Sequence, residues 1–360
     1  MVRRTGIADL PLHGGHAPRW LFERMVRLSR ALVRVMVRDF GPEEVLRRLA
    51  DPFWFQAFGC VLGFDWHSSG LTTTVCGALK EALRPLSLEL GLFVCGGKAR
   101  ASRRTPEEIS FWAEKAALPA RFSLLVEASR LAAKVDNTAL QDGYQLYHHV
   151  FLFTRSGSWA VIQQGMNENN RYARRYHWLG ERVESFVVEP HTGIAAAKKE
   201  REVLNFVAKE SLPAQEAIVD LVRRHPEEVL KELDQVAHLA LPSRHTLSER
   251  DLKPRGLKKV LLRTYEKVPK DFEELLKTEG LGPKSLRALA LLSELVYHAP
   301  VARKDPARFA FAHGGKDGHP FPVDRRLYDQ SIAYLEDLLE KARLAPTDKD
   351  QAFRRLHQLF

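Results

Sequence analysis

Residues 268–289 read Val268-Pro-Lys-Asp-Phe-Glu-Glu-Leu-Leu-Lys-Thr-Glu-Gly-Leu-Gly-Pro-Lys-Ser-Leu-Arg-Ala-Leu289. The stretch predicts two helices around a Gly280-Leu281-Gly282 turn. Both glycines can take backbone angles closed to other residues, and neither carries a side chain to block a phosphate. Pro283 opens the second helix, so the unpaired N–H groups and positive dipole end of that helix face the turn. Lys284 and Ser285 lie in its first turn. Gly-x-Gly alone marks an ordinary turn. The flanking Leu275, Leu281 and Leu289 pattern makes it a helix-hairpin-helix, a device that grips a DNA backbone without reading its sequence. Gly280, Leu281, Gly282 and Ser285 are the expected backbone-binding positions.

Outward from this stretch, the chain divides near residue 195. From Ala195 onward no strand is convincing. Helices are expected at Lys198–Lys209, Ala214–Arg224, Glu227–His238, Leu257–Lys267, Asp271–Thr278, Lys284–His298, Arg325–Arg343 and Asp348–His357, punctuated by prolines such as Pro242, Pro254, Pro269, Pro283 and Pro300. Before the boundary the pattern is mixed. Apolar residues recur at helical spacing from Pro18 to Val37. Phe53, Trp54, Phe55 and Phe58 mark a core segment, and Leu71–Leu83 reads as a helix. Leu88–Cys95 reads as a buried strand ending at Gly96-Gly97. Thr105-Pro-Glu-Glu108 reads as a capped helix start, and another helix is expected over Ala120–Lys134. Tyr144–Thr154 and Trp159–Gln164 flank the turn Arg155-Ser-Gly-Ser158 and predict a β-hairpin, with Phe186–Val188 as a further strand. The expected fold is α+β: a mixed α/β domain with a β-hairpin over 1–194, then an all-α helix-hairpin-helix domain over 195–360.

The chain has 360 residues and is 45% hydrophobic, enough for two packed domains. It carries 55 Lys and Arg against 45 Asp and Glu, a formal net charge of +10, which favours polyanionic partners. The three cysteines, Cys60, Cys76 and Cys95, are too few and too widely spaced for a disulfide framework or a zinc pattern, and are expected as buried reduced thiols. Met1-Val-Arg-Arg-Thr-Gly6 lacks the apolar core of a signal peptide, and no apolar run has the length of a bilayer span. A cytoplasmic protein without a membrane role is expected.

Further motifs extend the hairpin. Val268-Pro269-Lys270-Asp271 precedes it, and Phe321-Pro-Val323-Asp324 opens a later helix with Asp324 at the cap position. Taken with Gly280-Leu281-Gly282-Pro283-Lys284, these resemble the helix-hairpin-helix DNA glycosylase superfamily that includes endonuclease III, over roughly residues 250–335. The resemblance implies a lysine nucleophile at Lys284 and an essential aspartate at Asp324. A carboxylate can stabilise positive charge developing on the sugar. An amine attacking the anomeric carbon forms a Schiff base that permits strand cleavage, once the target base has been flipped from the stack. It also implies duplex DNA as partner. Three features depart from the family. Lys284 and Asp324 are 40 positions apart, around an insertion at Pro300–Pro320 containing Ala312-His-Gly-Gly-Lys-Asp-Gly-His319. No cysteine follows Cys95 to hold an iron–sulfur cluster, and the N-terminal half has no counterpart there. No cofactor is expected.

The phrases Leu10-Pro-Leu-His-Gly-Gly15, Phe64-Asp-Trp-His-Ser-Ser-Gly70, Lys134-Val-Asp-Asn137, Gln141-Asp-Gly-Tyr-Gln-Leu-Tyr-His-His149, Gln163-Gln-Gly-Met-Asn167 and Ala173-Arg-Arg-Tyr-His-Trp178 resemble a conserved prokaryotic family known as a domain of unknown function. That resemblance covers most of the chain and implies no activity. Read on their own chemistry, Gln163, Gln164, Asn167, Arg171, Arg174, Arg175 and Tyr176 interleave amides, arginines and aromatics, the side chains that read base edges, clamp phosphates and stack bases. They are the expected nucleic-acid contacts of the first half. Lys98, Arg100, Arg103 and Arg104 read as a solvated basic loop. His13 with His16, Asp65 with His67, and Asp136, Asp142, His148 and His149 lack diagnostic ligand spacing, so no metal is assigned. The leading expectation is a DNA glycosylase with abasic-site lyase activity in DNA repair. A passive nucleic-acid-binding protein and a metal-dependent nuclease centred on the first half stand as alternatives.

Overall fold

The computed structural model describes residues 17–64, 68–119, 122–197, 199–237, 256–307 and 325–357. In the first part run α1 (Arg19–Phe40), α2 (Pro42–Leu49), α3 (Pro52–Val61), α4 (Gly70–Leu83) and α5 (Ser87–Leu90), then β1 (Leu92–Lys98), α6 (Arg100–Arg103), α7 (Thr105–Lys115) and α8 (Ser123–Lys134). A π-helical turn at Val135–Ala139 leads into β2 (Leu140–Gln141), β3 (Gln145–Thr154), β4 (Trp159–Asn167), β5 (Tyr172–Leu179), β6 (Gly193–Ala196) and β7 (Leu204–Asn205). Helices follow: α9 (Leu212–Arg223), α10 (Pro226–Ala237), α11 (Leu257–Lys267), α12 (Phe272–Leu276), α13 (Pro283–Tyr297), α14 (Arg325–Lys341) and α15 (Pro346–His357). No described helix is long and apolar enough to cross a membrane.

The centre is a five-stranded antiparallel sheet in the order β1-β3-β4-β5-β6, with β2 and β7 forming a separate two-stranded pair. Strands β3 to β6 form a meander. Side chains alternate across the sheet because successive Cβ atoms point to opposite faces. Phe93, Phe151, Phe153, Val161 and Trp178 fall on one face and pack with α8, α9 and α13. Leu92, Val94, Val150, Leu152, Ala160 and Ile162 fall on the other and pack with α1 to α4 and with Leu335, Leu338, Leu339 and Leu356 of α14 and α15. Gly96 marks the closest approach of β1 to β3: its φ is +96°, and a Cβ there would stand 2.2 Å from the His149 carbonyl oxygen, so only glycine fits. Helix α3 is buried along its whole length, as its near-continuous apolar sequence demands. Asp51 caps it by accepting from the Trp54 amide at 2.8 Å.

Several expectations are corrected. The run that holds Arg174, Arg175 and Tyr176 forms a strand, β5, so the predicted β-hairpin is one unit of the larger sheet. Residues 186–188 form turn and bend rather than strand, and Lys199–Lys209 contains β7 instead of a helix. Strand structure therefore continues past residue 195. The clusters on both faces of the sheet draw residues from both sides of that position. Ser87–Leu90 is a helical turn, and the strand starts only at Leu92. Thr105 does not cap its helix; its hydroxyl donates to the Ser102 carbonyl at 2.7 Å. The three cysteines are buried and outside any disulfide. Burial pushes the Cys76 thiol up to about 12 and the Cys95 thiol higher.

The sheet is tied to the segment after α13 by a fully buried ion cluster. Arg174 donates to Asp142 at 2.9 Å and makes two bonds to Asp305, at 3.0 and 2.7 Å. Its guanidinium lies 4.6 Å from the centroid of the Tyr144 ring. Tyr176 adds a hydroxyl bond to Asp142 at 2.8 Å. Removing one partner of such a cluster leaves the others buried and uncompensated. Arg174→Met is therefore expected to lower unfolding free energy by about 3–5 kcal/mol in urea denaturation; a loss within experimental error would show that the cluster is not what anchors this segment.

Candidate nucleic-acid interface

Two helices and a turn form where the sequence predicts them, but the first helix is shorter than expected and only the first glycine takes a positive φ. Asp271 caps α12, its carboxylate accepting from the Glu274 amide at 2.8 Å, while Glu274 reaches back to the Lys270 amide at 2.7 Å. Gly280 takes a φ of +86°, and Gly282 is extended at −124° before Pro283 starts α13. Leu275, Leu281 and Leu289 are buried between the helices. The first regular bond of α13 runs from the Leu286 amide to the Gly282 carbonyl at 3.0 Å. The amides of Lys284 and Ser285 precede it and have no helical acceptor. Lys284 is exposed and makes no ion pair among the described residues, whereas Ser285 is buried. Space beside Gly282 is open, with nothing within 4 Å of where a Cβ would stand.

Three alternate carbonyls of the hairpin are each claimed by a side chain from another element. Arg263 of α11 donates to the Glu279 carbonyl at 2.8 Å. Lys134, the last residue of α8, donates to the Leu281 carbonyl, and Gln141 of β2 donates to the Pro283 carbonyl at 3.0 Å. The acceptor side of the turn is thereby occupied. What remains outward is the donor end of α13, with its positive dipole end and the Lys284 ammonium. Burial pushes the Lys134 pKa down from its ordinary value.

Beside the hairpin lies a cavity of about 510 Å³, within the size range of small-molecule sites. One wall is the face of α13 that carries Pro283, Arg287 and Glu294. The opposite wall is the segment after α8, including Asn137, Gln141 and Tyr144. Amide, phenol, guanidinium and carboxylate groups converge there, and Gln141 and Pro283 belong to both cavity and hairpin clamp. Lys134, Asn137 and Gln141 were not assigned to a site by sequence reasoning, although they stand within the phrases that carry the whole-chain resemblance. No residue spacing links them to the hairpin; the fold does.

The expected contacts of the first half fare differently. Gln163, Gln164, Arg174, Arg175 and Tyr176 are fully buried and offer no surface to a nucleic acid. On one face of the sheet, Ser129 donates to His149 Nε2, His149 Nδ1 donates to Gln163, and Gln163 donates to Asp136. The Asp136 carboxylate also accepts from Trp178 and His191. On the other face, Gln164 bonds Thr72, Tyr147 and the Ser69 carbonyl, and Arg175 donates to Gln56, Thr72, the Pro52 carbonyl and His177. Only Asn167, half-buried, and Arg171, exposed at a φ of +58° in the β4–β5 turn, retain surface. Asn167 is engaged locally, its side-chain Oδ1 accepting from the Asn169 amide at 3.0 Å. Asp324, with Val323, His13, His16, Asp65, His67 and the 312–319 insertion, lies outside the described residues. Among the described residues no three His, Cys, Asp or Glu side chains group as a metal site.

Within the buried polar layer, His148 has neither ring nitrogen hydrogen-bonded, and burial pushes it down to about 3. Burial also lowers His149 and His177. A histidine held neutral in the fold binds fewer protons than the unfolded chain below its ordinary pKa of about 6.5. Its contribution is intact above that pH and is lost as pH falls toward the folded value. Between pH 6.5 and about 3, His148 is therefore expected to cost up to about 1.4 kcal/mol per pH unit. His148→Leu, which removes both unsatisfied nitrogens, is expected to raise the urea midpoint at pH 5 more than at pH 7.5. An equal effect at both pH values would rule out this titration.

A family model matches residues 6–323, and the chain belongs to that family, described as Protein of unknown function (DUF763). No curated protein and no solved structure matches the chain.

Proposed function

We propose that this member of the family is a DNA-repair enzyme that removes a base from duplex DNA and cleaves the resulting abasic strand. The observation that supports the reading is the hairpin's polarity beside the cavity. Carbonyls 279, 281 and 283 are occupied from behind, the donor end of α13 is open, and a cavity of about 510 Å³ adjoins it. Amides at the helix start hold a phosphate. The cavity takes the extruded nucleotide, whose base edge meets the Asn137 amide and Gln141 Oε1. Lys284 supplies the amine that attacks the anomeric carbon. The glycosidic C–N bond breaks as the base leaves, opening of the C1′–O4′ bond gives the Schiff base, and loss of a C2′ proton then expels the 3′ phosphate. Asp324 is the carboxylate that the glycosylase resemblance implies, and it stabilises charge on the sugar.

A second reading has one observation in its favour: Lys284 is exposed, which equally suits a phosphate contact without chemistry. Borohydride reduction in the presence of duplex DNA carrying one abasic site, with chelator throughout, separates the two. The wild-type chain is expected to form a covalent adduct, Lys284→Ala to form none, and Asp324→Asn to slow base release by roughly 10²–10⁴-fold. Binding without any adduct leaves the passive reading. An adduct that persists in Lys284→Ala places the amine elsewhere, with Lys134 the nearest candidate at the hairpin.

A further inference from the structure

The outer face of α1 is unusual in charge. The helix carries Arg19, Arg24, Arg27, Arg30, Arg34 and Arg38 against only Glu23 and Asp39. At about 100° per residue all six arginines fall within one arc of roughly 140°, with Glu23 the one acidic residue of the helix inside it. Met25, Leu28, Leu32, Val35 and Met36 occupy the opposite side and are buried in the core, where α1 packs on α2, α4 and α14. Arginines at i,i+3 and i,i+4 repel, so such a face works against the helix's own stability. A merely solvated face mixes the two signs along those spacings. Arg27 has no ion pair among the described residues. The pairs Arg19–Glu23 and Arg34–Glu89 are exposed and exchangeable, while Arg38 pairs with Asp39 and Arg30 donates to the Ala82 carbonyl. Trp20, 58% exposed, stands on the same arc, with the Arg24 guanidinium 5.4 Å from its ring centroid.

We propose that this face is a second phosphate-binding surface, whose occupant is the backbone of duplex DNA. The proposal rests on the DNA-directed reading above and extends it to a site remote from the hairpin. The hairpin residues pack on one side of the sheet and α1 on the other, so the two surfaces engage separate stretches of duplex. From Arg24 to Arg38 the rigid face spans about 21 Å, which opposes on the order of a dozen duplex charges. Arginine's planar fork matches phosphate oxygens. A membrane surface fits less well, because the apolar side of α1 is committed to the core and cannot insert.

The test is the salt dependence of duplex binding by the full chain, read by fluorescence anisotropy. The combined Arg24→Gln, Arg27→Gln and Arg34→Gln variant is compared with wild type and with the lysine triple at the same positions. Helix content by circular dichroism checks the fold. Loss of three phosphate contacts is expected to reduce the slope of log affinity against log salt by about 2.7, with the lysine triple near wild type. An unchanged slope in the glutamine triple, with duplex still bound, overturns this proposal and leaves the hairpin reading standing. Absence of duplex binding by wild type overturns both. If the glutamine triple keeps its duplex slope but loses binding to polyglutamate, the face serves an acidic protein and the DNA assignment is overturned.

Discussion

A sheet covered on both faces leaves its inner strands no solvent side. Strands β3, β4 and β5 meet that condition, and most features of the fold follow from it. Side chains along their central stretches are buried whatever their chemistry, and most of the buried polar groups find a partner. Gln163, Gln164, Arg174, Arg175 and His177 do so through bonds that reach α3, α4, α8, the π-turn at Val135–Ala139 and the segment around Asp305. The polar layer therefore decides which elements stack on the sheet and in what register. It also carries the chain from α8 into the turn holding Lys134, Asn137 and Gln141, where the hairpin docks.

The helical parts of this fold are legible in the sequence because their apolar residues recur with the helical period and their ends carry glycine or proline. The limits of α11 coincide with the expected Leu257–Lys267, and the turn at Gly280-Leu281-Gly282 forms with Gly280 alone at positive φ. The strands are legible only where one pattern of alternation survives. Strand β5 is not evident in the sequence, because Arg174, Arg175 and His177 look solvated until the sheet is known to be sandwiched. The same cause misplaced the nucleic-acid contacts. A run of amides and guanidinia has the composition of a binding surface and of a buried hydrogen-bond layer alike. Composition holds no record of which side chains see water.

The candidate site is half legible for a similar reason. Its hairpin is a local motif, written in consecutive residues. The clamp from Arg263, Lys134 and Gln141 and the cavity wall at Asn137 and Tyr144 come from segments more than a hundred positions away or from a separate helix. Their role depends on the sheet bringing them to the start of α13. The clamp gives the hairpin its directionality: with the acceptor side bonded to the protein, the donor end alone faces outward. An anion can then be held without displacing any internal bond.

That directionality is tested most directly by hydrogen exchange of the full chain with and without duplex DNA carrying a reduced abasic site. Peptides covering 278–287 and 137–145 are expected to gain protection together, because hairpin and cavity wall would meet the same nucleotide. Protection confined to other segments, with DNA demonstrably bound, would contradict the placement of the DNA site at the hairpin.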